Sequence, residues 1–190
     1  MKPLRCLPCS LVTIILAIFM GCPHAMGFDF EKGIHGIRWE SSASQYDFLT
    51  KVRENQPFAY YVNEAMLFTL ANQPVPGVIY GFHERRFFAV YIKLRSPDQF
   101  HHMKKRFSAE YGPPRVKSQD AGDQTIYRWQ DRAVKIKLKN KASSGEMKLG
   151  IYYDPISSRL NRDPMEKIPP EDFPDQSPEG GSTNRSAPLL

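Results

Sequence analysis

Residues 86–112, RFFAVYIKLRSPDQFHHMKKRFSAEYG, hold a strand that runs directly into a helix, and this stretch decides the fold. Phe88, Val90, Ile92 and Leu94 alternate with Phe87, Ala89, Tyr91 and Lys93. A period of two in aromatic and β-branched residues predicts a strand with one row on a core. The period then changes. Ser96 suits an N-cap, Pro97 the first helical position, and Gln99 completes a capping box. Phe100, Met103, Phe107 and Tyr111 recur at helical spacing, and Gly112-Pro113-Pro114 stops the helix.

Upstream, residues 1–27 carry the three parts of a secretory signal. Lys2 and Arg5 are basic, Leu11–Met20 is an uncharged apolar run, and Ala25-Met26-Gly27 offers a small-residue cleavage site. A run of about ten residues is half of what a bilayer-spanning helix needs. The expectation is a signal peptide and a periplasmic or secreted protein beginning at Phe28. An alternative cut lies before Cys22, where Gly21-Cys22 is similar to a bacterial lipobox; Phe19 and Met20 depart from that pattern. Lipidation at Cys22 would make the chain an outer-membrane lipoprotein. All three cysteines, Cys6, Cys9 and Cys22, fall inside this leader. The domain after it therefore excludes disulfides, thiol nucleophiles and cysteine metal ligands, and rests on its apolar core.

Residues 28–154 hold 20 basic and 14 acidic side chains and read as a single domain. Residues 155–190 hold 4 basic and 6 acidic side chains and seven of the sixteen prolines. Such a segment cannot bury enough apolar surface to offset its ordering entropy, so a disordered tail is expected from about Arg159. A basic domain outside the cytoplasm suits anionic envelope partners, such as lipid headgroups or acidic glycans, before nucleic acid. General solubility is the plainer use of the same charge.

Within the domain, Ile37 and Trp39 mark a short strand. Ser42 with Gln45 forms a second capping box, and Tyr46, Phe48, Leu49 and Val52 predict a helix to about Arg53. Phe58–Val62 and Met66–Leu70 predict paired strands, and Val78–Phe82 turns into the strand quoted above. Residues 113–124 lack an apolar pattern and read as a loop. Ile126–Gln130, Ala133–Lys139 and Met147–Tyr153 complete a second meander. The expected class is α+β: an antiparallel sheet with two helices packed on one face, in the order β-α-βββ(β)-α-βββ. Helix followed by meander occurs twice, with Trp39 in Ile-Arg-Trp-Glu and Trp129 in Tyr-Arg-Trp-Gln.

Chemistry-bearing groupings are sparse. His101 and His102 are adjacent, so on a helix they diverge by about 100° and do not share an ion. No metal site and no cofactor is expected. Gly-x-Ser-x-Gly is absent, Ser41, Ser42 and Ser96 serve as helix starts, and no glycine-rich phosphate loop occurs. A hydrolase would have to converge distant acids such as Glu40, Asp47 and Asp123. The basic row is the stronger feature. Val134, Ile136 and Leu138 alternate with Lys135, Lys137 and Lys139. In that register Arg128, Lys148 and Tyr152 share the outer face, and Phe87, Tyr91 and Lys93 extend it. Cations interleaved with aromatic rings on an open sheet suit a polyanion. Lysines that discourage edge-to-edge pairing are the alternative use.

The spaced pattern Gly36-Ile-x-Trp39, Tyr80-Gly-Phe82, Phe88-x-Val-x-Ile92, Phe100, Tyr111-Gly-x-Pro114 and Tyr127-x-Trp129 resembles small exported α+β proteins of Gram-negative bacteria with no assigned activity. It covers most of residues 33–154. The layout is also similar to BamE-type outer-membrane assembly lipoproteins and to tandem folds of the β-lactamase-inhibitor type. The resemblance implies helices packed on one antiparallel sheet; the expectation of a non-enzymatic binding or envelope-assembly module comes instead from the export signal, the basic row and the lack of catalytic groupings. The resemblance assigns no functional residue, because the matching positions are packing and turn residues.

Overall fold

A computed structural model describes residues 30–70, 73–75 and 77–160, and the strand Arg185–Pro188. The expected leader with Cys22, and tail residues 161–184, lie outside the described residues. The architecture is α+β and mainly antiparallel sheet. A small hairpin, β1 (Gly33–Ile34) and β2 (Ile37–Arg38), opens it. The next strands are β3 (Thr50–Asn55), β4 (Phe58–Val62), β5 (Met66–Leu70), β6 (Gln73–Pro74), β7 (Val78–His83) and β8 (Arg86–Leu94). Helix α1 (Pro97–Tyr111) leads to β9 (Arg115–Gln119), β10 (Gln124–Asp131), β11 (Val134–Lys141) and β12 (Glu146–Tyr153). A short α2 (Asp154–Ser157) follows, and β13 (Arg185–Pro188) lies near the C-terminus.

Eight strands form one sheet in the order β3-β4-β7-β8-β12-β11-β10-β9. It consists of two four-stranded meanders whose final strands, β8 and β12, pair antiparallel at the centre. Helix α1 joins the meanders and forms where its local signals place it. Ser96 Oγ accepts a hydrogen bond from the Gln99 N–H at 3.2 Å, while Gln99 Oε1 accepts one from the Arg95 N–H at 2.8 Å. Its stripe of Phe100, Met103 and Phe107 is buried.

The sheet has a core on each face. On the first, α1 and the N-terminal hairpin cover Val90, Ile92, Trp129, Ile136, Leu138, Leu149 and Ile151. Trp39 donates to the Phe30 carbonyl at 2.6 Å, closing the N-terminal segment on itself, and Trp129 of β10 donates to the Gly112 carbonyl at 3.0 Å, tying the end of α1 to the sheet. On the second face Tyr60, Val62, Ile79, Phe88, Tyr91 and Tyr152 pack with Ile156 of α2. Two glycines make room there. A Cβ on Gly81 would lie 2.8 Å from the Tyr91 ring, and one on Gly150 would lie 2.6 Å from the Tyr152 ring. Both tyrosines lie across positions that carry no side chain.

Five expectations need correction. The helix expected from Ser42 to about Arg53 is only a 3-10 turn at Ala43–Gln45, and Ser42 makes no side-chain cap. Residues Thr50–Asn55 are instead an edge strand on β4, because the partner strand begins only two residues further on; Val52 bulges out of this ladder between Lys51 and Arg53. The expected pair of helices on one face is therefore reduced to α1, which buries its stripe in the first core; the second helix, α2, lies in a segment not expected to be helical and buries Ile156 in the other core. Met66–Leu70 does not pair with Phe58–Val62, whose free edge is taken by β7; it forms a separate sheet of order β13-β5-β6. Residues 115–119 form a strand, not a loop, whose side chains are nearly all exposed because it lies at the sheet edge. Finally, not all of the tail lacks structure: Arg185–Pro188 pairs parallel with β5, aligning Arg185 with Met66 and Pro188 with Thr69.

Candidate functional site

The strand pairing carries the alternation of β11 across four neighbours. Val134, Ile136 and Leu138 are buried on the α1 side, so Lys135, Lys137, Lys139 and Lys141 take the opposite face. Register then brings other cations beside them. One cross-strand row reads Lys93, Lys148, Lys139, Ile126, Lys117, from β8 to β9. The next reads Tyr91, Gly150, Lys137, Arg128, Arg115, and the third contains Tyr152, Lys135 and Gln130.

Like charges directly opposite on adjacent strands repel. Carboxylates at its margin relieve part of this repulsion. Glu146 pairs with Lys148 at 2.6 Å, and Asp154 at the start of α2 pairs with Lys135. Lys137 lies 4.6 Å above the Tyr152 ring, a cation–π contact. Lys139 and Lys148 are only 5% and 9% exposed, so their alkyl stems are packed into the face.

Six of the eight sequence-predicted residues, Arg128, Lys135, Lys137, Lys139, Lys148 and Lys93, share this surface. Two do not serve it as expected. Phe87 lies on the other side of the sheet, fully buried and stacked on Trp39 at 4.7 Å. The cause is a bulge. Phe82 pairs with Phe87 but Gly81 pairs with Ala89, so Phe88 is the extra residue and the alternation changes phase there. Tyr91 does face the basic side, but it is fully buried, with Tyr60 and Tyr152 at centroid distances of 6.3 and 5.7 Å. Its ring is core rather than an exposed platform. Arg115, Lys117 and Lys141 were absent from the expected set. Arg115 and Lys117 lie in a segment without apolar alternation, and their face is set only by pairing with β10.

Three surface cavities bear on function. One of about 460 Å³ lies at the β9–β12 end of the basic face, where Lys139, Lys141 and Lys148 are offset by Asp120 and Glu146. A second, of about 600 Å³, is lined by Arg115, Lys117, Arg128, Lys135, Lys137 and Ser157, with Tyr111, Pro113 and Val116 among its apolar walls. No carboxylate lines it. The third, about 720 Å³, lies beside the 3-10 turn, where Lys51 and Glu54 pair at 2.7 Å.

Glu40, Asp47 and Asp123 line none of these three. Asp123 instead accepts from the Ser143 hydroxyl at 2.8 Å and the Ser143 N–H at 2.7 Å. Those two bonds hold its carboxyl below the usual carboxylate range, the hydroxyl contributing most. At neutral pH it is an ionised acceptor clipping the β11–β12 turn, which does not suit a proton donor. Among the described residues no cluster of His, Asp and Glu could hold a metal ion, and no helix is long and apolar enough to cross a membrane.

Comparison with protein-family models, curated proteins and solved structures finds no match to any of them.

Proposed function

We propose that the chain is an exported, non-enzymatic binding module of the Gram-negative envelope, and that its basic sheet face takes an anionic envelope component. One observation carries this reading: two adjacent cross-strand rows set Lys93, Lys148, Lys139 and Lys137, Arg128, Arg115 in register. Such an array costs folding stability by self-repulsion, and a bound anion removes that cost. The secretory pattern of residues 1–27 supports the compartment, and lipidation at Cys22 would tether the chain to a membrane.

The test uses two probes: phosphatidylcholine vesicles doped with phosphatidylglycerol, and polygalacturonate as an acidic glycan. The protein is expected to bind at least one of them and to release it as salt rises, since exposed charges are screened beyond about 8 Å at physiological ionic strength. Undoped phosphatidylcholine vesicles are expected to bind nothing. Binding to neither anionic probe, or binding insensitive to salt, overturns the proposal.

A further inference from the structure

We propose that the cavity between α2 and the start of β9 is a phosphate pocket, with Arg128 and Ser157 as its two donors to the bound group. This rests on the anion-binding reading of the basic face and narrows it to one place and one chemistry. The cavity encloses about 600 Å³ and is lined by five cationic side chains and no carboxylate. Arg128 stands at its centre in the register, between Lys137 and Arg115. Its Nε–H is buried and has no hydrogen-bond partner, and the same holds for the Ser157 hydroxyl. Buried donors are ordinarily paired, so two unpaired buried donors on residues that line one cationic cavity mark where an acceptor belongs once a small side-chain shift brings them to its surface.

The chemistry of these donors selects the acceptor. Arginine presents Nε–H and an Nη–H as a planar fork matched to two oxygens of one oxyanion. A serine hydroxyl supplies a third donor to another oxygen. Three donors amid several cations suit a tetrahedral phosphate carrying one or two charges. The apolar wall of Tyr111, Pro113 and Val116 suits an organic substituent on that phosphate; Val116 is 56% exposed. The ligand class is therefore a phosphate ester with a small organic body.

Helix α2, which carries Ser157, is fixed to the sheet by Asp154 and Ile156, both outside the cavity lining. The Asp154 N–H donates to the Ala133 carbonyl at 2.7 Å, and Gln130 Nε2 donates to Asp154 Oδ2 at 3.3 Å. Asp154 pairs with Lys135, and Ile156 is buried in the second core. These contacts hold Ser157 against the sheet without ligand. The backbone that carries the site is thus held before anything binds, and only the Arg128 and Ser157 side chains have to turn toward the ligand.

The experiment measures binding of glycerol phosphate by calorimetry and of phosphatidylglycerol vesicles by co-sedimentation. The proteins are the wild type, Arg128→Gln, Arg128→Lys, Ser157→Ala and the control Lys51→Gln. Arg128→Gln is expected to weaken the probe that binds by roughly tenfold or more, and Ser157→Ala by a few-fold, as loss of charge-assisted and neutral donors implies. Arg128→Lys keeps the charge but not the fork and is expected to recover only part of the affinity. Lys51→Gln is expected to behave as wild type. The thermal midpoint of Arg128→Gln is expected to equal or exceed that of the wild type, because an unpaired buried donor and two like-charge contacts are removed. Binding of free glycerol phosphate assigns the pocket a soluble ester, and binding of vesicles alone assigns it a membrane headgroup. If Arg128→Gln binds like the wild type while charge reversal at Lys93 and Lys148 abolishes binding, the pocket is wrong and the broader face stands. If both variants bind like the wild type, both readings fall.

Discussion

Phe87→Ala is expected to destabilise the protein by about 3–5 kcal/mol, the range for truncating a fully buried aromatic residue. The ring is fully buried, stacks on Trp39 at 4.7 Å, and meets Phe82 and Tyr80 at centroid distances of 5.4 and 6.2 Å. Its backbone is equally committed. The Phe87 N–H donates to the Ser41 carbonyl, and its own carbonyl accepts from the Glu40 N–H, both at 2.9 Å. Phe87 therefore joins the N-terminal segment to the central strand through both side chain and main chain. Trp39 in turn stacks on Tyr153 at 5.7 Å, so the loss reaches β12. Urea unfolding gives the number. Phe48→Ala, at a residue 41% exposed, is expected to cost under about 0.5 kcal/mol. A Phe87 variant no less stable than the Phe48 variant would place Phe87 outside the core and remove the bulge that puts it there.

The second large effect concerns binding. Reversing Lys135, Lys137 and Lys139 to Glu is expected to weaken association with phosphatidylglycerol vesicles by about a hundredfold or more. Each lysine near an anionic surface contributes about 1 kcal/mol, and three lost contacts give roughly a hundredfold before repulsion is added. Net charge alone does not explain such a loss if position matters. Reversal of Lys51, Lys104 and Lys105 changes the net charge equally, yet Lys104 lies on α1, 4.2 Å above the Tyr127 ring on the other side of the sheet. That control is expected to lose far less. Because Lys139 is buried, Arg115→Gln with Lys117→Gln and Lys137→Gln provides a gentler set if the triple reversal fails to fold. Equal losses from the two reversals would reduce the basic face to a matter of total charge.

How much of this was legible depended on whether a feature was local. Helix α1 could be read because its cap, its stripe and its stop all lie within residues 96–112. The alternation of Val134, Ile136 and Leu138 with lysines was equally local, and those three residues are buried. Ser42 and Gln45 gave a similar cap signal, but a single turn satisfies the same pair, and pairing with β4 claimed the residues beyond it. The bulge at Phe88 was invisible because a phase change shows only when β7 is laid beside β8. β9 carries no apolar alternation, since an edge strand with both sides wet needs none. The cavity at α2 was hidden for a related reason. Its cations come from β9, β10 and β11, and Ser157 lies in what reads as the start of a proline-rich tail. No spacing in the chain brings those four segments together.

Lysine footprinting tests the central claim most directly. The protein is acetylated under limiting reagent with and without phosphatidylglycerol vesicles or polygalacturonate, and each lysine is followed by mass spectrometry. Lys93, Lys117, Lys135, Lys137 and Lys141 are expected to be protected together when the anion is present, while Lys51 and Lys105 react at unchanged rates. Protection of Lys51 and Lys105 with the basic face left reactive would contradict the account.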